Sequence, residues 1–391
     1  MRVTPSKKVV ASLMMTIGLF ILSSVVHAEE KAAGSVSFWE KTKVTGTADV
    51  NYNYNLNRPT TTAAAVAKNA YRVFDANANT FNIGLVELAI ENAPTDWVTF
   101  RTDLDFGNDA SLIHAAGFGI ATDIFDLQQA YVALKAASVG SGLTFKIGKF
   151  VTMHGAEVIE ASANNNISRS LLFNYAIPFT HTGIMASYSF ADWIALDLGV
   201  VNGWNNVVDN NNGKSIHGMF TIKPVDKVTW TLSGTVGPET AGSDGKIRTL
   251  IDTVLTYAPN DMWTVAVNYD LGRDKGLAGP ATAGVADWQG FAGYVHVKPF
   301  DFFGLSARGE YFRDDKAGTV GGGMTAGAAT GAALSTRLYE GTLTSHFYLA
   351  DGLDLRFEYR HDHGNAASFL KGTGVSRTFQ NTLASQLVYA F

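Results

Sequence analysis

The sequence predicts an all-β protein, a single antiparallel transmembrane β-barrel of about sixteen strands with short turns at one end and long loops at the other. Three observations lead there. The first is the alternation at the C-terminus, where Leu383, Ser385, Leu387, Tyr389 and Phe391 share one face and Thr382, Ala384, Gln386, Val388 and Ala390 the other. The second is that no stretch after residue 28 approaches the ~20 apolar residues of a membrane helix. Aromatics make up 12% of the chain and charged residues only 17%, with 39 glycines, a composition suited to a surface half in lipid and half in water. The third is a rotation of alternating segments with short and long connections in turn.

At the N-terminus, Arg2, Lys7 and Lys8 precede an apolar run from Val9 to Val26, and Val26-His27-Ala28 offers a cleavage site. This reads as a secretory signal peptide over residues 1–28, removed near Ala28, with an uncleaved anchor as the alternative. Residues 29–42 then form a short periplasmic segment and 43–391 the barrel. Without the leader the chain has 27 basic against 35 acidic residues, a net charge of −8, which argues against nucleic acid as a partner. With no cysteine, a disulfide framework, a lipid-anchored N-terminal Cys and a Cys-x-x-Cys-His haem attachment are all excluded.

Strands are expected to begin near residues 43, 80, 97, 125, 142, 181, 193, 215, 227, 248, 262, 287, 303, 335, 353 and 379. The short connections share Pro and Asp, which preset tight turns. Examples are Pro94-Thr95-Asp96-Trp97, Ala191-Asp192-Trp193 and Pro259-Asn260-Asp261-Met262-Trp263; Ser138 to Gly142 departs from the pattern. Trp97, Trp193 and Trp263 follow such turns, as an interfacial girdle requires. The long connections run about 56–79, 108–124, 151–180, 203–214, 237–247, 272–286, 314–334 and 364–378. Both termini then lie on the short-turn side, and the strand number must be even.

Charge decides which face looks inward. Between Leu353 and Arg360, the residues Asp354, Arg356, Glu358 and Arg360 alternate with Leu353, Leu355, Phe357 and Tyr359. An arginine against lipid at the midplane costs ~2–4 kcal/mol, and a one-residue slip would impose that on the whole set. The charged face therefore lines the lumen. The same split puts Arg101, Asp103 and Asp105, then Arg308 and Glu310, then Asn268 and Asp270, inside.

From about residue 43 to the end, the chain resembles the OmpL-like β-barrel porin family of Gram-negative outer membranes. The likeness lies in Arg72-Val73-Phe74-Asp75, Asp126-Leu127-Gln128-Gln129-Ala130-Tyr131, Gly148-Lys149-Phe150, Glu157-Val158-Ile159-Glu160 and Ser168-Arg169-Ser170-Leu171-Leu172-Phe173. It continues through Tyr175-Ala176-Ile177-Pro178-Phe179-Thr180-His181-Thr182-Gly183, Val201-Asn202-Gly203-Trp204-Asn205-Asn206 and Leu387 to Phe391. The terminal aromatic also resembles the closing strand of outer-membrane barrels, where it serves as an assembly signal.

The resemblance implies an outer-membrane porin passing small hydrophilic solutes and ions by diffusion, with the third long loop, 151–180, folded inward to narrow the pore. Implied partners are outer-membrane lipid and lipopolysaccharide, and the barrel assembly machinery acting on the strand that ends at Phe391. A homotrimer is common among sixteen-stranded porins. On the loop, Glu157, Glu160 and Arg169 are the candidate constriction residues. Arg101, Asp103, Lys146, Arg308, Glu310, Arg356, Glu358 and Arg360 are the candidate wall. Acids on the loop facing arginines on the wall would set a transverse field; equally, these charges would pin the loop to the wall through ion pairs. Two other roles stay open for the barrel: a plugged or gated form with a structural or adhesive surface role, and a sheath for a partner cytochrome.

Other motifs are weaker. Asp209-Asn210-Asn211-Asn212-Gly213 lacks the spacing of a calcium loop and reads as turns. Gly213-Lys214-Ser215 lacks the first glycine of a phosphate loop, Val208 standing in its place. His361 and His363 lack a third metal ligand nearby and read as rim residues. No Gly-x-Ser-x-Gly or His-Glu-x-x-His occurs, so no enzyme, cofactor or metal site is expected.

Overall fold

The computed structural model describes residues 38–60, 67–120, 122–276, 285–315, 319 and 335–391. The expected signal peptide and the Gly321 to Ala333 run lie outside the described residues. The chain divides into an N-terminal unit reaching Thr42, described from a 3₁₀ turn at Phe38–Lys41, and a unit from Lys43 to Phe391 that forms the barrel.

In chain order the strands are β1 (Thr42–Asn55), β2 (Thr80–Thr95), β3 (Val98–Phe106), β4 (Phe125–Ala136), β5 (Leu143–Val151) and β6 (Thr180–Ala191). They continue with β7 (Ile194–Val201), β8 (Ser215–Val225), β9 (Val228–Thr240), β10 (Ser243–Asn260), β11 (Trp263–Asp274) and β12 (Ala286–Phe300). Last come β13 (Phe303–Asp315), β14 (Ser335–Ala350), β15 (Leu353–Gly364), β16 (Phe369–Lys371), β17 (Val375–Arg377) and β18 (Phe379–Ala390). Sixteen of these close into one antiparallel barrel, and β16 with β17 makes a separate hairpin in the last long loop. The ring closes through β18, which pairs with β15 on one side and with β1 on the other, Thr47 opposite Ala390 and Asn55 opposite Thr382.

Strand starts fall within two residues of expectation except at β10. There the expected 237–247 loop is instead a projecting hairpin, Thr240 pairing with Ser243 around Ala241-Gly242. Gly242 takes φ +68, which glycine adopts without a Cβ clash. The register then shifts between Ser243 and Ile247.

Burial alternates as the charge pattern requires. In β15, Asp354, Arg356, Glu358 and Arg360 are buried while Phe357 and Tyr359 are exposed. In β13, Ser306, Arg308, Glu310 and Phe312 are buried, and in β11 so are Asn268 and Asp270. The exposed face is apolar, with aromatics at both borders. Trp97, Trp193 and Trp263 lie exposed at the short-turn rim with Phe300 and Phe302. Near the other rim Phe106 packs on Phe125 and Tyr311 on Tyr339, with ring centroids 5.2 and 5.0 Å apart. Amphipathic rings at both borders of an apolar band are what a lipid bilayer selects.

Candidate functional site

The lumen holds protein. A single apolar cluster joins Tyr71, Val73 and Phe74 of the first long loop and Ile113 of the second to Ile159, Leu171, Leu172, Phe173, Tyr175 and Phe179 of the third. It rests on inward wall residues including Trp288, Phe312 and Leu338. The ionic interior expected from the strands is therefore accompanied by an apolar interior that the loops supply. Period-two alternation cannot reveal this, because the loops carry no such period.

A loop threaded through a barrel must satisfy its own backbone polar groups. Here the charged wall does so. Glu358 accepts the N–H groups of Ile167 (2.7 Å) and Ser168 (3.1 Å) and the Thr344 hydroxyl (2.8 Å). Arg308 donates to the Ser168 carbonyl (2.7 Å), Arg360 to that of Arg169 (2.7 Å) and Arg356 to that of Ala161 (2.9 Å). Glu310 accepts the N–H of Leu171 at 2.7 Å, the first residue of a short helix α2 (Leu171–Tyr175); a preceding helix, α1 (Asn108–Ile113), lies in the second loop. Ser170 caps α2 by accepting the Phe173 N–H, and the Trp288 indole donates to the Ala176 carbonyl at its far end. Groups that a helix leaves orphaned at both ends are thus partnered from the wall and the cap.

Each candidate residue has a definite place. Glu157 is buried, 2.6 Å from Arg308 and accepting the Ser170 N–H at 2.6 Å. Arg308 also bonds Glu340 at 2.7 Å. Arg169 turns into its own loop, donating to the carbonyls of Val158, Ile159 and Ile167 and lying over the Phe74 ring. Glu160 is half-buried and accepts from Gln128 of β4 (2.8 Å). Arg101 is 32% exposed and bonds Asp103 at 2.9 Å, with Glu91 at 3.8 Å. Lys146 stands over the Tyr131 ring, 4.6 Å from its centroid. Arg356 pairs with Asp354 at 2.6 Å, and Arg360 with Asp362 at 2.7 Å.

The loop thus runs from Glu160, at β4, to contacts with Glu310 and Arg308 on β13, seven places round the ring from β4. A cavity of about 190 Å³ lies between its 156–166 segment and the wall of β10 to β13, lined by Glu157, Asn165, Asn166, Thr264, His296 and Ser306 among others.

Sequence reasoning missed several residues. Arg72 of the first loop bonds Asp75 (2.5 Å), Asp362 (3.2 Å) and Thr382 (2.8 Å), tying that loop to the wall. Glu340 was legible in the alternation Thr336, Leu338, Glu340, Thr342, Thr344 of β14, whose members are all buried. A trio of histidines, His154, His181 and His217, is brought together from three separate segments. His361 and His363 stay on the outer side, His361 bonding Asn381 at 2.7 Å. In the Asn-rich loop, Asp209 accepts the Asn211 N–H and Asn211 the Gly213 N–H, consecutive turns of the expected kind.

Burial shifts the protonation of several loop groups, His154 and Asp109 among them. Burial, aided by His217, pulls the His154 imidazole down to about 3. Burial, with Asp49 nearby, pushes the Asp109 carboxyl in α1 well above the usual carboxylate range.

A family model described as beta-barrel porin-2, OmpL-like matches residues 41–391. No curated protein matches the chain. Among solved structures, the fold is similar to the anion-selective porin from Comamonas acidovorans, with TM-score 0.60 and 11% identity over 90% of this chain and 99% of that one. It is similar to Salmonella typhi OmpF in complex with daunomycin, with TM-score 0.58 and 14% identity over 90% and 97%. The trimer form of in-vitro folded OmpT from Vibrio cholerae gives 0.57 and 12% over 90% and 99%.

Proposed function

Since this chain belongs to the OmpL-like beta-barrel porin-2 family and is an outer-membrane porin barrel of the Gram-negative kind, we propose that it passes small hydrophilic solutes and ions by diffusion through a charged lumen narrowed by the 151–180 loop. The observation that carries this reading is the seating of that loop by Arg308, Glu310, Arg356, Glu358 and Arg360. A loop held at so many points is a fixed restriction in a channel, and rigid restrictions select.

The roles divide. Glu157, Arg169, Arg308, Glu310, Arg356, Glu358 and Arg360 are anchors, their charges engaged with the loop or with one another. Arg101, Lys146 and Glu160 keep part of their surface open and set the field that a passing ion meets, with Asp103 holding Arg101 in place. The apolar cluster formed by three loops supports a second reading, a gated pore that opens when a loop withdraws. The trimer form of the similar Vibrio cholerae barrel supports a homotrimer. The exposed apolar band and terminal Phe391 fit contact with lipid and lipopolysaccharide and recognition by the assembly machinery.

The test is single-channel current from the refolded protein in a planar bilayer under a salt gradient. Reproducible steps with a defined reversal potential support an open pore. Openings seen only rarely or under applied stimulus favour the gated form, and silence from demonstrably folded barrels overturns the diffusion reading.

A further inference from the structure

The histidine trio has a chemistry that the channel does not use. His154 comes from the third loop, His181 from the second position of β6 and His217 from the third position of β8. All three are buried, and one ring nitrogen of each lies within 4.8 Å of those of the other two; among the described residues this is the one such group.

The surroundings fix which nitrogen is available on two of the three rings. Ser233 donates its hydroxyl to Asp252 at 2.9 Å, so toward His154 Nδ1, 2.7 Å away, it acts as acceptor. The His154 proton therefore sits on Nδ1, and Nε2 presents a lone pair with no hydrogen-bond partner. His181 Nδ1 is 3.3 Å from the Gly203 carbonyl, which can only accept, so its Nε2 also presents a lone pair, 3.4 Å from the Thr152 hydroxyl. His217 has no hydrogen-bond partner at either ring nitrogen. Its ring stacks on Phe150 at 5.9 Å and lies over Gly199, where a Cβ would come within 2.3 Å of Nε2.

Three buried imidazoles, two of them with a ring nitrogen that has no hydrogen-bond partner and the third with only the 3.4 Å contact to Thr152, are costly to keep together unless something takes up their lone pairs. We infer that His154, His181 and His217 form a site for a divalent transition-metal ion of the zinc, cobalt, nickel or copper class. Imidazole nitrogen without a directly ligating carboxylate favours these ions over calcium or magnesium. The Asp252–Ser233–His154 chain and the Gly203 carbonyl supply the outer partners that orient ligating histidines. Tetrahedral nitrogens about 2.0–2.1 Å from zinc lie about 3.3 Å apart, so nitrogens that lie within 4.8 Å of one another would draw together by at most roughly 1.5 Å. Three histidines leave a fourth position for water. An ion there ties residue 154 of the loop to two wall strands.

The probe is Co²⁺ added to the full-length refolded barrel after chelator treatment, followed by visible absorption, with Zn²⁺ competition and calorimetry for stoichiometry. The expected result is one ion per chain with tetrahedral cobalt bands that zinc displaces. H217A and H181A should abolish the bands, and S233A should weaken binding roughly 10- to 100-fold, while H361A leaves it unchanged. Heat-modifiable migration on gels establishes that each variant is folded. If a variant fails to fold, the wild-type stoichiometry and the S233A affinity decide. Absence of cobalt bands from the wild-type barrel, or binding undiminished in folded H217A, overturns the inference.

Discussion

Removing the Glu358 carboxylate tests whether the wall holds the third loop in place. Glu358→Ala leaves the Ile167 and Ser168 N–H groups without their acceptor inside the lumen, and frees the Thr344 hydroxyl. A buried donor left unsatisfied costs about 1–3 kcal/mol, so the two amides together weaken the seated loop by about 2–6 kcal/mol. Water entering the vacated space places the effect toward the lower end, and about 2 kcal/mol already shifts the balance of seated and released loop roughly 30-fold. The inter-strand hydrogen bonds of β15 are untouched, so the barrel itself should persist. The assay pairs single-channel recording with limited proteolysis. The variant should show larger or noisier conductance and cleavage within residues 156–170, while heat-modifiable migration stays as in the wild type. Glu358→Gln, which keeps one carbonyl acceptor, should fall between. Conductance, current noise and protease resistance all equal to wild type in a folded Glu358→Ala barrel would refute the reasoning.

Three further outcomes follow. The raised pKa of Asp109 means the folded state keeps its proton, so its stabilising contribution is full below about pH 3.8 and is lost as pH rises through the raised value. Asp109→Asn should accordingly raise the temperature of the gel-mobility transition at pH 8 and flatten its fall between pH 4 and pH 8; an unchanged profile counts against the assignment. Arg101→Gln should move the reversal potential toward cation preference and Glu160→Gln toward anion preference, and shifts of the same sign would show that neither faces the ion path. Gly148 in β5 has φ +138, and a Cβ there would stand 2.1 Å from the Ala130 carbonyl oxygen. Gly148→Ala should therefore destabilise the barrel by about 1–3 kcal/mol, seen as a lower transition temperature; equal stability would mean the backbone relaxes freely.

The wall of the barrel was legible because its physics is local. Arg356 and Arg360 can be placed inside from their neighbours alone, since lipid and water divide a strand residue by residue. What fills the lumen was not legible, since it depends on which loop residue meets which wall residue. Glu157 and Arg308 were both candidates, yet nothing in their spacing says that they meet at 2.6 Å. Phe74 and Phe173 pack 5.6 Å apart from loops some hundred residues distant in sequence. The histidine trio escaped for the same reason: metal motifs are recognised by short fixed spacings, and residues 154, 181 and 217 have none. His361 and His363, by contrast, look like a pair in sequence and face outward together. The hairpin at Ala241-Gly242 looks like a loop in sequence because strand alternation loses its apolar member once a strand projects beyond the bilayer.

The seam between β1 and β18 joins residues 47–55 to residues 382–390, the largest sequence separation of any strand pair in the ring. Every other neighbouring pair can zip from a connection that already brings its ends together, whereas this one must find its partner after the rest of the sheet exists. Until then the sheet has two open margins, and in a bilayer each unpaired backbone group on them costs several kcal/mol. Assembly is therefore a contest between closing this seam and pairing either margin with a foreign strand. Because pairings distant in sequence form slowly, this seam is the pairing that leaves those margins open longest.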